Sequence, residues 1–241
     1  MIDIHCHILP EVDDGARSWE IALAMCTMAR EDGTEHIVAT PHSNDVYFYD
    51  RPYLTDLLQQ LREKAGHCPQ FSLGCDFHFS YENIQDALEK PNQFTIGNTP
   101  YLLVEFSDYS LPPTIEENLA KLINVGLRPI ITHPERNPLI QRNPARVLDW
   151  VRGGSLVQVT GNALTGRWGK TAQSVAQWLF EREAVHFLAS DGHNVDSRKP
   201  CLSKARDAAA EIASEFVAEA LVLMNPRAVV NGDPVPYRPK I

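Results

Sequence analysis

The chain has 241 residues, and its 31 Asp and Glu outnumber its 22 Lys and Arg, which gives a formal net charge of −9. Hydrophobic residues make up 44% and charged residues 22%, the composition of a folded globular protein rather than a disordered or collagen-like one. Phosphate backbones are bound by clustered Lys and Arg, so an acidic chain is poorly suited to them. We expect no nucleic-acid partner.

The amino-terminal sequence and the cysteines indicate the cellular location of the protein. The first residues, MIDIHCHILP, lack the basic and apolar segments of a secretory signal, and no run reaches the ~18 apolar residues that span a membrane. The five cysteines form no CxxC pair and have no regular spacing, which argues against a disulfide framework or a zinc ribbon. We expect a cytoplasmic protein without membrane insertion.

Short β-branched runs alternate with longer amphipathic stretches along the chain. Strands are predicted at residues 1–5, 36–40, 71–75, 101–106, 128–132, 155–160 and 185–190. Helices are predicted at about 18–32, 53–65, 82–89, 113–125, 144–152, 171–183 and 202–224. Residues 225–241 hold four prolines and one glycine, and we expect an irregular tail.

Seven strands, each followed by a helix, predict an α/β fold with parallel strands. No internal repeat or low-complexity linker divides the sequence, so residues 1–241 are predicted to form a single domain. This pattern alone leaves two architectures open, an open doubly wound sheet and a closed or distorted barrel.

Ionisable side chains are concentrated where the predicted strands end, and this is the edge at which α/β folds carry their chemistry. Six of the seven strands deliver a His, Asp or Glu there. These residues are His5, His7, Asp13, Asp14, His42, Asp76, His78, Glu105, His133, Glu135, Asp191 and His193. Burying each one singly is unfavourable, whereas a shared cluster of divalent cations would compensate all of them.

His5 and His7 lie two residues apart on a strand, so their side chains point to the same face and Cys6 points away. The alternative is a pair of hydrogen-bonded core histidines. Imidazole and carboxylate ligands without thiolates suit Zn²⁺, Mn²⁺ or Fe²⁺ better than Ca²⁺. Two such ions ~3.5–4 Å apart would hold the attacking and leaving oxygens of a phosphoryl transfer.

The remaining histidines are divided by position. His36 and His186 come early in their strands and His67 lies in a polar loop, so we expect surface or packed imidazoles there. His78 shares a strand face with Asp76, and its role stays open.

Arg136 and Arg198 closely follow His133 and His193 in sequence. A guanidinium group matches phosphate because its forked N–H donors fit two oxygens, although a salt bridge at the rim is an equal alternative. We consider both arginines candidates for binding phosphate.

Other phosphatase and nucleotide-binding motifs are incomplete or absent in the sequence. Gly169-Lys170-Thr171 resembles the end of a P-loop, but Leu164 stands where the first glycine is required. No Cys is followed by five residues and Arg, and no GxSxG occurs. Hydrolysis by this chain would therefore use water activated by metal.

Several motifs together resemble the polymerase-and-histidinol-phosphatase (PHP) superfamily. They are MIDIHCHILPEVDDGA at the start, ATPH at 39–42, VEF at 104–106, THPERN at 132–137 and ASDGHN at 189–194. More narrowly, they resemble its bacterial capsule-type, manganese-dependent protein-tyrosine phosphatases. The similarity runs in register from residue 1 to about residue 230.

This resemblance implies a distorted seven-stranded (β/α) barrel with three divalent metal ions at the C-terminal ends of the strands. Mn²⁺ is the first choice, with Fe or Zn as alternatives. The implied ligands are His5, His7, Asp76 and Asp191 for one ion, Asp76, Glu105 and His133 for the second, and Asp14, His42 and His193 for the third. Arg136 and Arg198 match family arginines near the phosphate. Relatives usually have Glu where this chain has Asp76.

The activity implied is hydrolysis of phosphotyrosine on protein by a metal-bound hydroxide. The implied partner is the tyrosine-rich tail of a bacterial tyrosine kinase that controls exopolysaccharide and capsule synthesis. Residues 44–51 (NDVYFYDR) offer either an aromatic surface for a peptide or an ordinary loop. Two alternatives are a small-molecule phosphatase of the histidinol-phosphatase type and a PHP-fold binding module without catalysis.

Overall fold

The computed structural model describes residues 1–239. Strands in this range are β1 Ile2–Cys6, β2 His36–Ala39, β3 His42–Ser43, β4 Gln70–Leu73, β5 Asp76–His78, β6 Tyr101–Glu105, β7 Arg128–Thr132, β8 Leu156–Thr160 and β9 Phe187–Ala189. Helices are α1 Trp19–Glu31, α2 Arg51–Ala65, α3 Tyr81–Glu89, α4 Ile115–Asn124, α5 Pro138–Arg142, α6 Ala145–Arg152, α7 Gly161–Leu164, α8 Gly169–Glu181, α9 Ser203–Ile212, α10 Glu215–Glu219 and α11 Asn225–Asn231. A π-helical turn, Ala220–Met224, joins α10 to α11.

All paired strands run parallel, which confirms the predicted α/β class. The strands of residues 1–239 form two sheets, with orders β1-β2-β4 and β3-β5-β6-β7-β8-β9, rather than one closed barrel. The separation arises because the second and third predicted strands are each interrupted. Pro41, which has no N–H to donate, follows β2, and Gly74 follows β4. The continuations β3 and β5 pair in the other sheet.

Gly74 illustrates why the interruption needs a small residue. A Cβ built at this position would lie 3.0 Å from side-chain atoms of both Ile96 and Val38. The two sheets also meet beyond β1 and β9, where His7 N donates to Gly192 O at 2.8 Å and Asp191 N donates to His5 O at 2.9 Å. The ends of β1 and β9, which carry several of the candidate residues, are thereby held together.

The register of β1 against β2 shifts between Asp3 and Cys6. Ile2, before the shift, and Ile4, within it, pack in an apolar cluster with Phe187. Cys6, after it, packs in the larger cluster with the helices. Such a shift lets the amino-terminal part of the strand supply core residues and the carboxyl end supply His5 to the site.

The helical predictions need two corrections. Predicted helix 202–224 is interrupted, because Ser214 adopts extended backbone and its side chain accepts the N–H of Val217 to begin a new helix. The irregular tail predicted for residues 225–241 is wrong for α11, where Pro226 occupies the first turn and needs no intrahelical N–H.

The remaining structure agrees more closely with the patterns. Residues 232–239 contain neither helix nor strand, as predicted, and Lys240 and Ile241 lie outside the described residues. None of the helices within residues 1–239 combines the length and apolar character needed to cross a bilayer.

Candidate metal centre

The structure brings the nine predicted ligands together where the strands end. His5, His42, Asp76 and Glu105 lie on β1, β3, β5 and β6, and the others lie in the loops that follow β1, β7 and β9. Short contacts connect all nine: His5, His7, Asp14, His42, Asp76, Glu105, His133, Asp191 and His193. The parallel pairing of β3, β5, β6 and β7 explains the convergence, since it aligns their carboxyl ends.

Asp76 lies at the middle of this cluster. Its Oδ2 is 3.4 Å from His5 Nε2, 3.4 Å from His42 Nδ1 and 3.8 Å from His133 Nε2. Its other oxygen, Oδ1, accepts a hydrogen bond from Thr132 Oγ1 at 3.3 Å. The shorter side chain of Asp therefore still reaches several imidazoles at once.

His5, His7 and Asp191 form the innermost group. The Nε2 atoms of the two histidines are 3.2 Å apart, and Asp191 Oδ1 lies 3.6 and 3.5 Å from them. All three residues are buried. The shared strand face predicted for the two histidines thus directs both rings to one place.

Asp14 connects a second group nearer the solvent. Its Oδ1 is 3.3 Å from the Nε2 atoms of both His42 and His193, and together with His7 these residues present ligand atoms within 4.8 Å of one another. Asp14 is half exposed, so this group faces the opening of the site.

Glu105 connects the third group. Its oxygens lie 3.6 Å from His133 Nε2 and 3.6 Å from His42 Nδ1. The tightest cluster on this side combines His42, Asp76 and Glu105, so His42 belongs to two of the groups. His78 Nδ1 is 3.8 Å from Glu105 Oε2, beside the cluster.

The charge balance of the site favours anionic carboxylates. Burial disfavours charge on Asp76, but His5 and His133 outweigh it and hold its pKa well below the usual range. Burial likewise opposes charge on Asp191, whose pKa is lowered by Arg136 and Arg198. Both carboxylates are therefore anionic and are surrounded by imidazole and guanidinium groups.

The histidines respond to the same field. Burial opposes protonation of His42, but Asp14 and Asp76 outweigh it and raise its pKa to about 10. Burial and the neighbouring His193 instead lower the pKa of His7 to about 3. The carboxylates therefore determine the direction of the pKa shift of His42, whereas burial and neighbouring imidazoles determine that of His7.

Three buried atoms of the cluster have no hydrogen-bond partner among residues 1–239: Asp76 Oδ2, His42 Nδ1 and His193 Nε2. Buried polar atoms are usually satisfied, and each unsatisfied one is unfavourable. A carboxylate oxygen and imidazole nitrogens are ligands for Mn²⁺, Fe²⁺ or Zn²⁺. The side chains present therefore fit divalent cations.

Two residues that hold the histidines were not assigned from sequence. Gln158 Oε1 accepts from His5 Nδ1 at 2.9 Å, and Asp13 Oδ2 accepts from His7 Nδ1 at 2.7 Å. Each contact leaves the Nε2 atom of its ring facing the cluster. The only signals in the sequence were a polar residue inside a buried strand, SLVQVT, and the paired acids of DDGA.

The loop that carries Asp13 requires Gly15. A Cβ at this position would lie 2.2 Å from the carbonyl oxygen of His7. Gly15 N in turn donates to Asp13 Oδ1 at 2.9 Å. The glycine of DDGA thus permits the turn that orients the carboxylate of Asp13.

Backbone strain also occurs at the site. His133 and Asp191 have φ angles of 32° and 50°, in the left-handed region that residues other than glycine rarely adopt. Strained conformations concentrate at functional sites, where the surrounding structure holds them. No residue pattern in the sequence predicted these angles.

The two candidate arginines lie on the far side of Asp191. Both Arg136 Nη1 and Arg198 Nη2 donate to Asp191 Oδ2, the latter at 2.6 Å. Trp168, which sequence reasoning missed, lies against both, with its ring centroid 3.8 Å and 5.4 Å from their Cζ atoms. The Nε atoms of both arginines are buried and have no acceptor within the described part of the chain.

Residues outside the cluster match simpler roles. His36 Nε2 bonds with Ser72 Oγ at 2.9 Å, and His186 Nδ1 accepts from Val157 N at 3.2 Å, both away from the site. Cys6 and Cys75 are buried thiols. The alternative of packed imidazoles thus applies to His36 and His186.

The aromatic loop after β3 is divided between the core and the surface. Tyr49 is buried and donates to Gly74 O, whereas Val46 and Phe48 are exposed. The ring of Tyr47 stacks on His42 with a centroid distance of 5.9 Å. The loop therefore covers one edge of the metal centre.

Comparisons with known proteins agree with this geometry. The profile of the family described as capsular polysaccharide synthesis, CpsB/CapC, matches residues 1–231. Tyrosine-protein phosphatase YwqE of Bacillus subtilis is 34% identical over 201 residues, which cover 82% of this chain and 79% of that protein. Tyrosine-protein phosphatase CpsB of Streptococcus pneumoniae is 30% identical over 239 residues, covering 95% and 98%.

Solved structures show the same relation. A structure described among those of YwqE and CpsB, "unique metal-dependent tyrosine phosphatases", superposes with a TM-score of 0.87, 30% identity and full coverage of both chains. The lactonase Lmo2620 from Listeria monocytogenes shares only the fold, with a TM-score of 0.61 and 13% identity over 97% of this chain and 95% of the lactonase. The chain therefore belongs to the CpsB/CapC family of capsular polysaccharide synthesis.

Proposed function

We propose that this protein is a metal-dependent phosphomonoesterase that hydrolyses phosphotyrosine on protein. The observation that carries the proposal is the convergence of nine imidazole and carboxylate side chains beside two arginines whose Nε atoms lack acceptors among residues 1–239. Relatives whose names state tyrosine-protein phosphatase support it across most of the chain.

Three divalent cations, with Mn²⁺ preferred over Fe or Zn, are part of this proposal. His5, His7, Asp76 and Asp191 would hold one, Asp76, Glu105 and His133 the second, and Asp14, His42 and His193 the third. Such ions supply a Lewis acid and lower the pKa of water toward ~7. The central position of Asp76 supports its role as the shared ligand.

Arg136 and Arg198 are proposed to bind the phosphoryl oxygens. Asp191 takes up part of their hydrogen-bonding capacity and holds the two guanidinium groups side by side. Their buried Nε–H groups remain available for an anion, and leaving them unpaired is unfavourable. Trp168 restricts both groups through cation–π contact, so that they are oriented before the substrate arrives.

The proposed setting is a distorted seven-stranded PHP-type barrel in the cytoplasm, acting on the tail of a bacterial tyrosine kinase. The hydrogen bonds between the ends of β1 and β9 support the barrel, because they join the two sheets at one edge. Five free thiols support a reducing compartment. The family description supports a role connected with capsule synthesis.

The test is phosphate release from a phosphotyrosyl peptide by the full chain after Mn²⁺ reconstitution. We expect turnover that a chelator abolishes and Mn²⁺ restores. His5→Ala should lower kcat by at least ~100-fold, since it removes a ligand at the centre. His36→Ala is the matched control and should keep the activity. The ring of His36 bonds to Ser72 Oγ, and His36 is the first residue of β2, at the amino-terminal end of the strand.

Other outcomes separate the alternatives. Release from small phosphate esters, with none from the peptide, would replace the proposal with a small-molecule phosphatase of the histidinol-phosphatase type. Stoichiometric metal without turnover of either substrate, or failure to bind metal, would favour a PHP-fold binding module.

A further inference from the structure

A cavity of about 220 Å³ lies between α7 and the beginning of α9, and three cationic side chains line it. Arg167, Lys199 and Lys204 line it, together with Asn162 and Thr165. Among the described residues of its lining, Asp32 alone is acidic. Three cations around one cavity are unexpected in a chain whose net charge is −9.

The single carboxylate of the cavity is already satisfied. Asp32 Oδ2 accepts the backbone N–H groups of Leu202 and Ser203 at 2.6 and 2.9 Å, and its Oδ1 accepts from Ser203 Oγ at 2.5 Å. Asp32 thus caps the beginning of α9, and its one negative charge cannot balance the three cations of the lining.

The three cations themselves have no ion pair within the described part of the chain. Arg167 and Lys204 are exposed, and Lys199 is partly buried. Most other basic residues near the site are already paired, as Arg198 is with Asp191. Uncompensated cations that converge on a concave surface favour an anionic ligand.

Two cations of the cavity are sequence neighbours of residues at the proposed phosphate site. Lys199 follows Arg198 directly, and Arg167 precedes Trp168, whose ring contacts Arg136 and Arg198. Neighbouring Cα atoms are only ~3.8 Å apart, so each of these cations begins one residue away from the site. Gly161, also in the lining, directly follows β8 at the same end of the sheet.

We propose that this cavity binds a second anionic group of the substrate peptide, a carboxylate or a phosphate, close to the phosphotyrosine. The inference rests on the proposed function and deepens it by naming a substrate class, acidic or multiply phosphorylated segments. Carboxylates and phosphates share the negative oxygens that Arg and Lys bind.

The experiment compares three peptides with one central phosphotyrosine, using the Mn²⁺-loaded full chain. Their flanks carry Asp and Glu, their neutral amides Asn and Gln, or one phosphoserine among the neutral residues. We expect KM to be about 3–10-fold lower for the anionic peptides, with the advantage decreasing at high salt because exposed charges are screened. Comparison of the two anionic peptides identifies the preferred group.

The double variant Arg167→Gln/Lys204→Gln should lose this preference, because both exposed cations are removed from the cavity. The matched control is Lys64→Gln/Arg238→Gln, which removes two exposed cations elsewhere and should keep it. Equal KM values for anionic and neutral peptides with the wild-type protein, or an unchanged preference in the Arg167/Lys204 variant, would overturn the inference.

Failure of the proposed function gives a different result. In that case none of the three peptides would release phosphate, and binding of the labelled peptides, followed by fluorescence anisotropy, decides the inference. Preferential binding of the anionic peptides that disappears in the Arg167/Lys204 variant would retain the cavity as an anion site. Equal binding of all three peptides would reject it.

Discussion

Among individual residues, the orientation of the imidazoles in the centre depends on the side chains that bond to their Nδ1 atoms. Asp13 and Gln158 accept hydrogen bonds from the Nδ1 atoms of His7 and His5, so these nitrogens carry the protons. The Nε2 atoms then face the carboxylates of Asp76 and Asp191. Fixing the tautomer in this way raises the basicity of a ligand and holds its ring in place.

Asp13→Asn tests this positioning. The amide lacks the negative charge that stabilises the Nδ1–H of His7, so we expect metal affinity to fall by about 10–100-fold. Isothermal titration calorimetry with Mn²⁺, on protein freed of metal by a chelator, measures the change in affinity. Asp56→Asn, on the exposed surface of α2, is the control and should bind as the wild type does. Equal affinities for the Asp13 and Asp56 variants would refute the positioning role.

The packed histidines predict how stability depends on pH. Burial lowers the pKa of His186 to about 3, from an ordinary value of 6.5. The unfolded chain therefore takes up this proton first as the pH falls. The stabilisation is complete above pH 6.5 and is lost as the pH decreases from 6.5 toward 3, by up to ~1.4 kcal/mol per pH unit.

Urea unfolding of the chelated protein at about pH 7 and about pH 5 checks this expectation. His186→Gln removes the titrating group, so the stability difference between wild type and variant should decrease toward acid pH. His67→Gln, at an exposed side chain, is the control. A difference that stays constant between the two pH values would contradict the assignment of a neutral, buried His186.

At the element scale, Asn137 couples a strand end to a helix. Its Oδ1 accepts the N–H groups of Leu139 and Ile140 at the beginning of α5, and its Nδ2 donates to the carbonyl groups of Phe106 and Ser107. One buried side chain thereby fixes the segment between His133 and α5, which includes Arg136.

Asn137→Ala should lower the free energy of unfolding by about 2–4 kcal/mol, because a helix cap and two bonds to carbonyl groups are lost together. Ser18→Ala is a matched comparison, since Ser18 caps α1 only through the N–H of Ile21. We expect about 1 kcal/mol there. Equal losses in denaturant unfolding would show that the contacts of Asn137 with Phe106 and Ser107 contribute nothing.

Element predictions succeeded where the residue pattern is local. The runs 101–106 and 128–132 become β6 and β7, and the Pro and Gly around α4 mark its ends. The predictions failed where one local pattern is compatible with two structures, as a proline is with an irregular segment and with the first turn of a helix. Asn225–Asn231 contains a proline and follows the π-helical turn, yet it forms α11 because Pro226 falls in a first turn.

In the molecule as a whole, the carboxylates of the centre carry negative charge that bound cations would compensate. Asp14, Asp76, Glu105 and Asp191 approach one another through shared histidines. Arg136 and Arg198 compensate only Asp191 and part of Asp14. Bound cations would therefore stabilise the folded state as well as support chemistry.

Adding Mn²⁺ to the chelated protein should raise the melting temperature, because an ion bound only by the folded chain contributes about 2.7 kcal/mol at 100 times its Kd. Differential scanning calorimetry measures the rise. Asp76→Asn should remove most of it, since the charge at the middle of the cluster is lost, whereas Asp56→Asn should keep it. A full rise in the Asp76 variant would place the stabilising ion elsewhere.

The alternating α/β pattern and the strand ends that carry His, Asp and Glu could be predicted from the residues alone, because strand alternation is a local property, and the family resemblance added the ligand set. The division into two sheets, the contacts of Asp13, Gln158 and Trp168, and the strained angles of His133 and Asp191 could not be predicted in this way. These features arise from contacts between segments far apart in the chain. Their geometry depends on packing, which no short stretch of residues specifies.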